Sequence, residues 1–173
     1  MIFPPMTIHA HQLHGTTKHP AHGATLTYYI KQGLLVGTAG GKPVRVLAFS
    51  GGGGGSKTGW VQKGTANNPA MAGHKTSGGH KDHKHHSHGG PIPPGQYTIR
   101  TPDGKHPNLG PISAALTPSS HNHMHGRAGF FIHGRGPHGS DGCIVPHTDK
   151  EFHALMRVLT ESQGGSLTVV DSR

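Results

Sequence analysis

The sequence predicts a mainly β domain with one helix near its C-terminal end. Three observations support this fold class: short β-branched or aromatic stretches between turn residues, one amphipathic stretch with helix-start and helix-stop signals, and a long glycine- and histidine-rich segment between two groups of strands. A length of 173 residues suits one domain with a core. We expect that domain over residues 23–173, after a flexible leader at 1–22 without hydrophobic periodicity.

The first group of strands follows the leader directly. ATLTYYI (24–30), GLLVGT (33–38) and PVRVLAF (43–49) are short, rich in β-branched or aromatic residues, and bounded by turn residues. Their close spacing predicts a meander.

Residues 50–90 interrupt this pattern. The segment consists mostly of Gly, His, Lys, Asn and Ser, with Trp60 and Val61 as its clear apolar pair. This composition is typical of a flexible insertion. The six histidines from His74 to His88 leave open an alternative function, a histidine-rich metal-binding protein without enzymatic activity. Gly, Ser and Lys between these histidines favour weak binding over a specific metal site.

Ordered structure is predicted again from residue 91. The prolines of PIPPGQYTIR bring the chain in extended, and residues 96–100 have strand character. AGFFIHG (128–134) is short enough for a buried strand, and it places His133 at the end of that strand. A glycine-rich turn then leads to Cys143 and to a further apolar pair, Ile144 and Val145.

The clearest helix lies in HTDKEFHALMRVLTESQGG. Thr148 and Glu151 have capping-box spacing, and Gly164 with Gly165 ends the helix. Its apolar face consists of Phe152, Leu155, Met156 and Leu159. SLTVV (166–170) is predicted as a closing strand.

Charge limits the class of partner. A net charge of +9, with 19 histidines in addition, predicts attraction to polyanions such as nucleic acids, anionic membranes or bacterial wall polymers. Aromatic residues make up 5 % and no base-stacking motif occurs, so we expect no nucleic-acid partner. No apolar run reaches about 18 residues, and MIFPPMTIHAHQLHG lacks a basic start followed by an apolar run. We therefore expect neither a membrane span nor a signal peptide.

Cys143 is the only cysteine of the chain and a candidate nucleophile. A thiol with the usual pKa of about 8.5 is mostly protonated at neutral pH, so a nucleophilic cysteine needs a nearby base. His133 at a strand end is held more rigidly than His138 on a turn, which favours His133. Backbone amides of residues 141–143 could form an oxyanion hole. The alternative is an inert, buried cysteine near one of many histidines.

The stretch around Cys143 resembles the active-site motif of the L,D-transpeptidase family. In that motif a His-Gly pair after a strand is followed by Ser-x-Gly-Cys and an apolar residue, here His133-Gly134 and Ser140-Asp141-Gly142-Cys143-Ile144. The ten-residue step from His133 to Cys143 resembles the compact members that type VI secretion delivers as antibacterial effectors. A weaker similarity extends over about residues 24–170, including FSGGGG and GPIPPGQYTI.

The resemblance implies a β-sandwich-like fold and an enzyme without a cofactor or metal. Cys143 would be the nucleophile, His133 the general base, and the Gly134 carbonyl the group that orients the imidazole. Ser140, Asp141 and Gly142 would form the oxyanion turn.

Substrate binding is implied for two residues beside the base. Arg135 would hold a substrate carboxylate, with a solvated surface charge as the alternative. His138, on the same turn, is the second candidate.

The implied substrate is the tetrapeptide stem of peptidoglycan. The thiol would attack the carbonyl of the third stem residue, expel D-alanine and leave a thioester. Water, a second stem or a free D-amino acid could then accept the acyl group. Asp141 stands where housekeeping members often have histidine, so the preferred acceptor stays open. Such an effector would be made in the cytoplasm, act in the periplasm of a target bacterium, and have a secretion-apparatus component and an immunity protein as partners.

Overall fold

The computed structural model describes residues 23–57, 59, 61–77 and 87–173. The leader predicted at 1–22 and Trp60 lie outside these residues. The strands are β1 (Ala24–Tyr29), β2 (Leu34–Ala39), β3 (Lys42–Ser50), β4 (Gly53–Gly54), β5 (Gly95–Ile99), β6 (Ala114–Pro118), β7 (Phe130–Ile132), β8 (Gly139–Ser140), β9 (Ile144–Pro146) and β10 (Gly165–Val170). One α-helix, α1 (Asp149–Glu161), and two 3₁₀ turns, Pro69–Met71 and Pro107–Leu109, complete the described elements. The predicted mainly β class with one helix after Cys143 is confirmed.

Eight of the strands form one closed barrel in the order β1, β10, β5, β6, β7, β9, β3, β2. The resemblance implied a sandwich-like arrangement, whereas the structure has one sheet that closes into a barrel. Closure leaves no unpaired strand edge in this sheet. β1 with β10 and β7 with β9 are parallel, and the other barrel pairs are antiparallel. Because β1, β2 and β3 are neighbours, the predicted meander is confirmed.

The core is built from alternate strand residues and one face of the helix. Leu26, Ile132 and Leu167 are fully buried inside the barrel. The predicted apolar face of α1 is buried with them: Phe152, Leu155, Met156 and Leu159. The predicted cap is present as well, since Thr148 Oγ1 accepts from the Glu151 amide at 3.2 Å. No helix within the described residues is long and apolar enough to cross a membrane.

Within the segment 50–90, which its composition predicts to be a flexible insertion, part of the described chain packs against the barrel. Gly51–Gly55 is buried, and β4 within it pairs with β8 beside Cys143. Gly51 has φ of +75°, and a Cβ there would lie 2.6 Å from the Gly89 carbonyl oxygen. Composition rules count apolar side chains, but Gly51–Gly55 packs through backbone surfaces that approach closely because these residues carry no side chain.

Two polar side chains, buried Ser50 and half-buried Asn67, join the end of β3 to the rest of the domain. Asn67 Oδ1 accepts from the Tyr28 hydroxyl at 2.6 Å and from the Ser50 amide at 2.9 Å. Ser50 Oγ donates to the Gly142 carbonyl at 2.7 Å and accepts from the Ile92 amide at 2.9 Å. The turn before Cys143 is therefore bonded directly to a barrel strand.

We expect Gly51→Ala to destabilise the protein more than Gly40→Ala. Both positions have positive φ, but a Cβ at Gly40 meets nothing within 4 Å. Gly40→Ala isolates the backbone strain, which costs about 1 kcal/mol. Gly51→Ala adds overlap with the backbone of Gly89 and Gly90, worth about 2 kcal/mol more. Free energies of unfolding from urea titration measure the difference, and equal losses would contradict backbone packing at Gly51.

Candidate active site

The pairing of β7 with β9 brings His133 and Cys143 to adjacent strands. Ile132 pairs with Ile144, and the His133 amide donates to the Ile144 carbonyl at 3.2 Å. Ile132 and Ile144 point into the core, so alternation places the preceding Cys143 and the following His133 together on the opposite face. The predicted nucleophile and base are thus diagonal neighbours across two parallel strands.

His133 is buried and its ring is oriented by the next residue. Nδ1 lies 2.6 Å from the Gly134 carbonyl oxygen, and this oxygen can only accept. Nδ1 therefore carries the hydrogen and Nε2 is the nitrogen that can take a proton. Burial lowers the pKa of His133, and the hydrogen bond to Gly134 offsets part of that shift. The imidazole is consequently neutral at neutral pH, as a general base must be.

Cys143 is half-buried, and its thiol is protonated at rest. Burial raises the pKa of Cys143 to about 12, and the Asp141 charge raises it further. The Phe131 backbone amide and the Arg127 guanidinium act in the opposite direction. Because burial dominates, the sulfur needs a partner that removes its proton during the reaction.

The Ser140 hydroxyl shapes the turn that carries Cys143. Ser140 Oγ accepts from the Gly51 amide at 2.9 Å and from the Gly142 amide at 3.0 Å, and it donates to the Cys143 carbonyl at 2.5 Å. The Gly142 amide is thus used within the turn, which differs from its expected role as an oxyanion donor. That the amides of Asp141 and Cys143 donate to an oxyanion stays a prediction.

The Asp141 carboxylate faces the glycine- and histidine-rich segment. Its Oδ1 lies 2.8 Å from His88 Nδ1 and accepts from the Gly89 amide at 3.1 Å. The His88 side chain is only 7 % exposed, and its ring packs on Gly53. The Asp141 carboxylate therefore links His88 and Gly89 to the turn that carries Cys143.

Arg127 is a second residue that links the turn carrying Cys143 to other chain segments, and the sequence did not predict this role. Its Nη1 donates to the carbonyls of Ala72 at 2.6 Å and Pro91 at 2.7 Å. Nη2 donates to the carbonyls of Gly90 and Asp141, both at 2.8 Å. Burial lowers the pKa of Arg127 from a value so high that the group stays charged. The guanidinium thus joins three chain segments next to the thiol.

Arg135 and His138 lie on the exposed turn between His133 and Cys143. Arg135 Nε donates to the Gly54 carbonyl, and the side chain lines a groove of about 910 Å³. Phe49, Val61, Lys63, Ala66, Asn67 and His147 complete that groove. Cys143 lines a different, smaller groove, so the structure does not bring Arg135 and the thiol into one cavity.

The smaller groove has a volume of about 240 Å³. It is lined by Lys75, Thr76, Gly126, Arg127, Ala128, Gly129, Phe130, Asp141 and Cys143. Within the part of the chain that the structure describes, no three His, Cys, Asp or Glu residues are placed to hold a metal ion. Four of the six histidines between His74 and His88 fall outside that part.

Comparisons with known proteins give one family and two similar folds. The family model of the Tlde1 domain matches residues 66–169. An L,D-transpeptidase from Xylanimonas cellulosilytica is 14 % identical with a TM-score of 0.45, over 88 % of this chain and 62 % of its own. The helical cell shape determining protein Pgp2 from Campylobacter jejuni is 14 % identical with a TM-score of 0.49, over 87 % of this chain and 48 % of its own. The chain thus spans less than two thirds of either structure, and no curated protein sequence matches it.

We expect Asp141→Asn to make the thiol more reactive. The carboxylate charge raises the pKa of Cys143, and an amide oxygen at the same place can still accept from His88 and Gly89. Removing the charge increases the thiolate fraction, and the weaker nucleophilicity of a less basic thiolate cancels only part of the gain. Alkylation by iodoacetamide at pH 9 should accelerate roughly threefold.

Asp171→Asn is the matched control for this measurement, because Asp171 is exposed near the C-terminal end. It should leave the alkylation rate unchanged. A rate in Asp141→Asn equal to or below that of the wild type would show that the Asp141 charge does not oppose ionisation of Cys143.

Proposed function

Because the chain belongs to the Tlde1 domain family, we propose that it is a cysteine-dependent L,D-transpeptidase and L,D-carboxypeptidase acting on peptidoglycan tetrapeptide stems. The family match includes both His133 and Cys143. The observation that carries the proposal is the pairing of β7 with β9, which puts a neutral, oriented imidazole and the thiol on one face.

The first half-reaction transfers an acyl group to sulfur. His133 Nε2 takes the thiol proton while Cys143 Sγ attacks the carbonyl carbon of the third stem residue. The tetrahedral oxyanion accepts hydrogen bonds from the amides of Asp141 and Cys143. The bond to D-alanine then breaks, and its amine takes the proton from the His133 imidazolium. A thioester on Cys143 and released D-alanine result.

The resting state, with neutral His133 and protonated Cys143, favours proton transfer to His133 at the moment of attack. Because burial raises the pKa of Cys143, the resting sulfur is a thiol rather than a thiolate at neutral pH. Substrate binding places the carbonyl against the sulfur, and deprotonation accompanies attack. The Arg127 charge and the Phe131 amide, which lower the pKa of Cys143, stabilise the sulfur as it becomes negative.

The second half-reaction releases the acyl group. Water attacks the thioester with His133 as base and gives a tripeptide stem, which is the carboxypeptidase reaction. The amine of a second stem gives a crosslink, and the amine of a free D-amino acid gives exchange. In each case the thiolate leaves and is reprotonated through His133.

The biological role that we propose is that of an antibacterial effector. Membership of the Tlde1 domain family supports delivery by type VI secretion into the periplasm of a target bacterium. A secretion-apparatus component and an immunity protein are then the proposed partners. The net charge of +9 suits a target whose wall polymers are anionic.

The enzymatic proposal predicts loss of D-alanine from purified tetrapeptide muropeptides. Mass spectrometry should show tripeptide, crosslinked or exchanged products with the wild type, and none with Cys143→Ala. His133→Ala should reduce the rate by about 10²-fold or more, because the thiol loses its base. Exposed His121 gives the matched control His121→Ala, which should retain the rate. Equal product from Cys143→Ala and the wild type would refute a cysteine enzyme.

The delivery proposal predicts toxicity that depends on compartment. Expression in a bacterium with an added periplasmic signal should lyse or arrest the cells, because the wall substrate lies there. Expression without that signal should be harmless, and Cys143→Ala should be harmless in both compartments. Equal growth of wild-type and Cys143→Ala cells with the periplasmic signal would refute the effector role while leaving the enzymatic activity intact.

A further inference from the structure

The small groove that contains the thiol also contains two cationic side chains, Lys75 and Arg127. Arg127 cannot bind a ligand through its terminal nitrogens. Nη1 and Nη2 together have four hydrogens, and these nitrogens already donate four hydrogen bonds to backbone carbonyls. Among the described residues that line the groove, the Lys75 ammonium is the remaining cationic donor.

The backbone around Lys75 is held firmly for an exposed position. The His74 amide donates to the Met71 carbonyl at 2.8 Å, and the His74 carbonyl accepts from the Gly90 amide at 3.0 Å. Two residues beyond Lys75, Ser77 and Ser87 exchange two backbone hydrogen bonds of 2.9 Å. The backbone on both sides of Lys75 is therefore fixed by hydrogen bonds at His74 and Ser77.

The Lys75 side chain crosses the groove toward the opposite wall. A Cβ placed on Gly126 would lie 3.1 Å from Lys75 Nζ, so the ammonium sits over the Gly126 backbone. Gly126 lines the same groove as Cys143. The ammonium therefore lies at the mouth of the cavity into which the sulfur opens.

The chemistry of the proposed substrate puts an anion in this cavity. In a tetrapeptide stem, three covalent bonds join the attacked carbonyl carbon to the carboxylate carbon of the terminal D-alanine. When the carbonyl carbon is at Sγ, the carboxylate must lie within a few ångströms of it. A groove of about 240 Å³ suits a leaving residue as small as alanine.

We propose that Lys75 binds the terminal carboxylate of the leaving D-alanine and thereby selects stems that end at the fourth residue. This inference rests on the proposed function. A stem with a fifth residue carries its carboxylate farther from the thiol and places a neutral amide against the ammonium. Asp141 also lines the groove, but its Oδ1 is directed to His88 Nδ1 and the Gly89 amide.

The test compares two substrates on full-length protein. One is a tetrapeptide stem with a free terminal carboxylate, and the other is the same peptide with a C-terminal amide. Lys75→Gln should raise KM for the free acid roughly tenfold, while kcat changes little. For the amide, Lys75→Gln and the wild type should have the same KM. Lys75→Arg should restore most of the preference for the acid.

Two further variants complete the design. Lys31→Gln makes the same change on an exposed turn between β1 and β2, and it should behave as the wild type with both substrates. Arg135→Gln tests the other groove, since Arg135 was the candidate for a substrate carboxylate. Thermal unfolding midpoints equal to that of the wild type show that each variant folds.

The inference is overturned if Lys75→Gln leaves the acid preference intact, or if Arg135→Gln removes that preference and Lys75→Gln does not. An equal rise in KM for acid and amide would also overturn it, because such a rise indicates a general change in the groove. If the wild type transforms neither peptide, the proposed function fails, and this inference fails with it. Product from the wild type with no acid preference refutes the role of Lys75 alone.

Discussion

The Ser140 hydroxyl holds the turn that carries Cys143, and the proposed active site depends on this turn. Its oxygen is bonded to the Gly51 amide on one side and to the Gly142 amide and Cys143 carbonyl on the other. These contacts require two backbone segments to approach more closely than side chains would allow, and Gly51–Gly55 meets that requirement. The glycine segment is therefore part of the active-site architecture, and the position of Cys143 depends on it as much as on β9.

Burial serves two opposite purposes at this site. It keeps His133 neutral, which a base requires, and it keeps Cys143 protonated, which holds the nucleophile inactive. Both effects come from removing charge from water, so burial sets both groups in their uncharged starting states. The nearby Arg127 charge and Phe131 amide favour the charged sulfur that forms later. The site thus combines a neutral resting state with stabilisation of the reacting one.

The sequence predicted the elements whose signals are local. The cap at Thr148, the apolar face of α1, the first three strands and the order from β7 to β10 all followed from neighbouring residues. The sequence did not predict β6, because its alanines have little strand preference. It did not predict β4 or β8 either, because glycine is typical of loops. His88 and Arg127 were missed for another reason. Their partners are distant in sequence: His88 and Asp141 are 53 positions apart, and among 19 histidines no local signal singles out His88.

Ser77 and Ser87 form a backbone pair that joins the described chain on the two sides of residues 78–86. His74 Nε2 lies 2.9 Å from Ser87 Oγ and reinforces that pair. Lys75 and Thr76, the described residues of this segment that line the groove, lie on the barrel side of this pair. The two backbone hydrogen bonds of this pair therefore anchor the wall of the groove that Lys75 and Thr76 form beside Cys143.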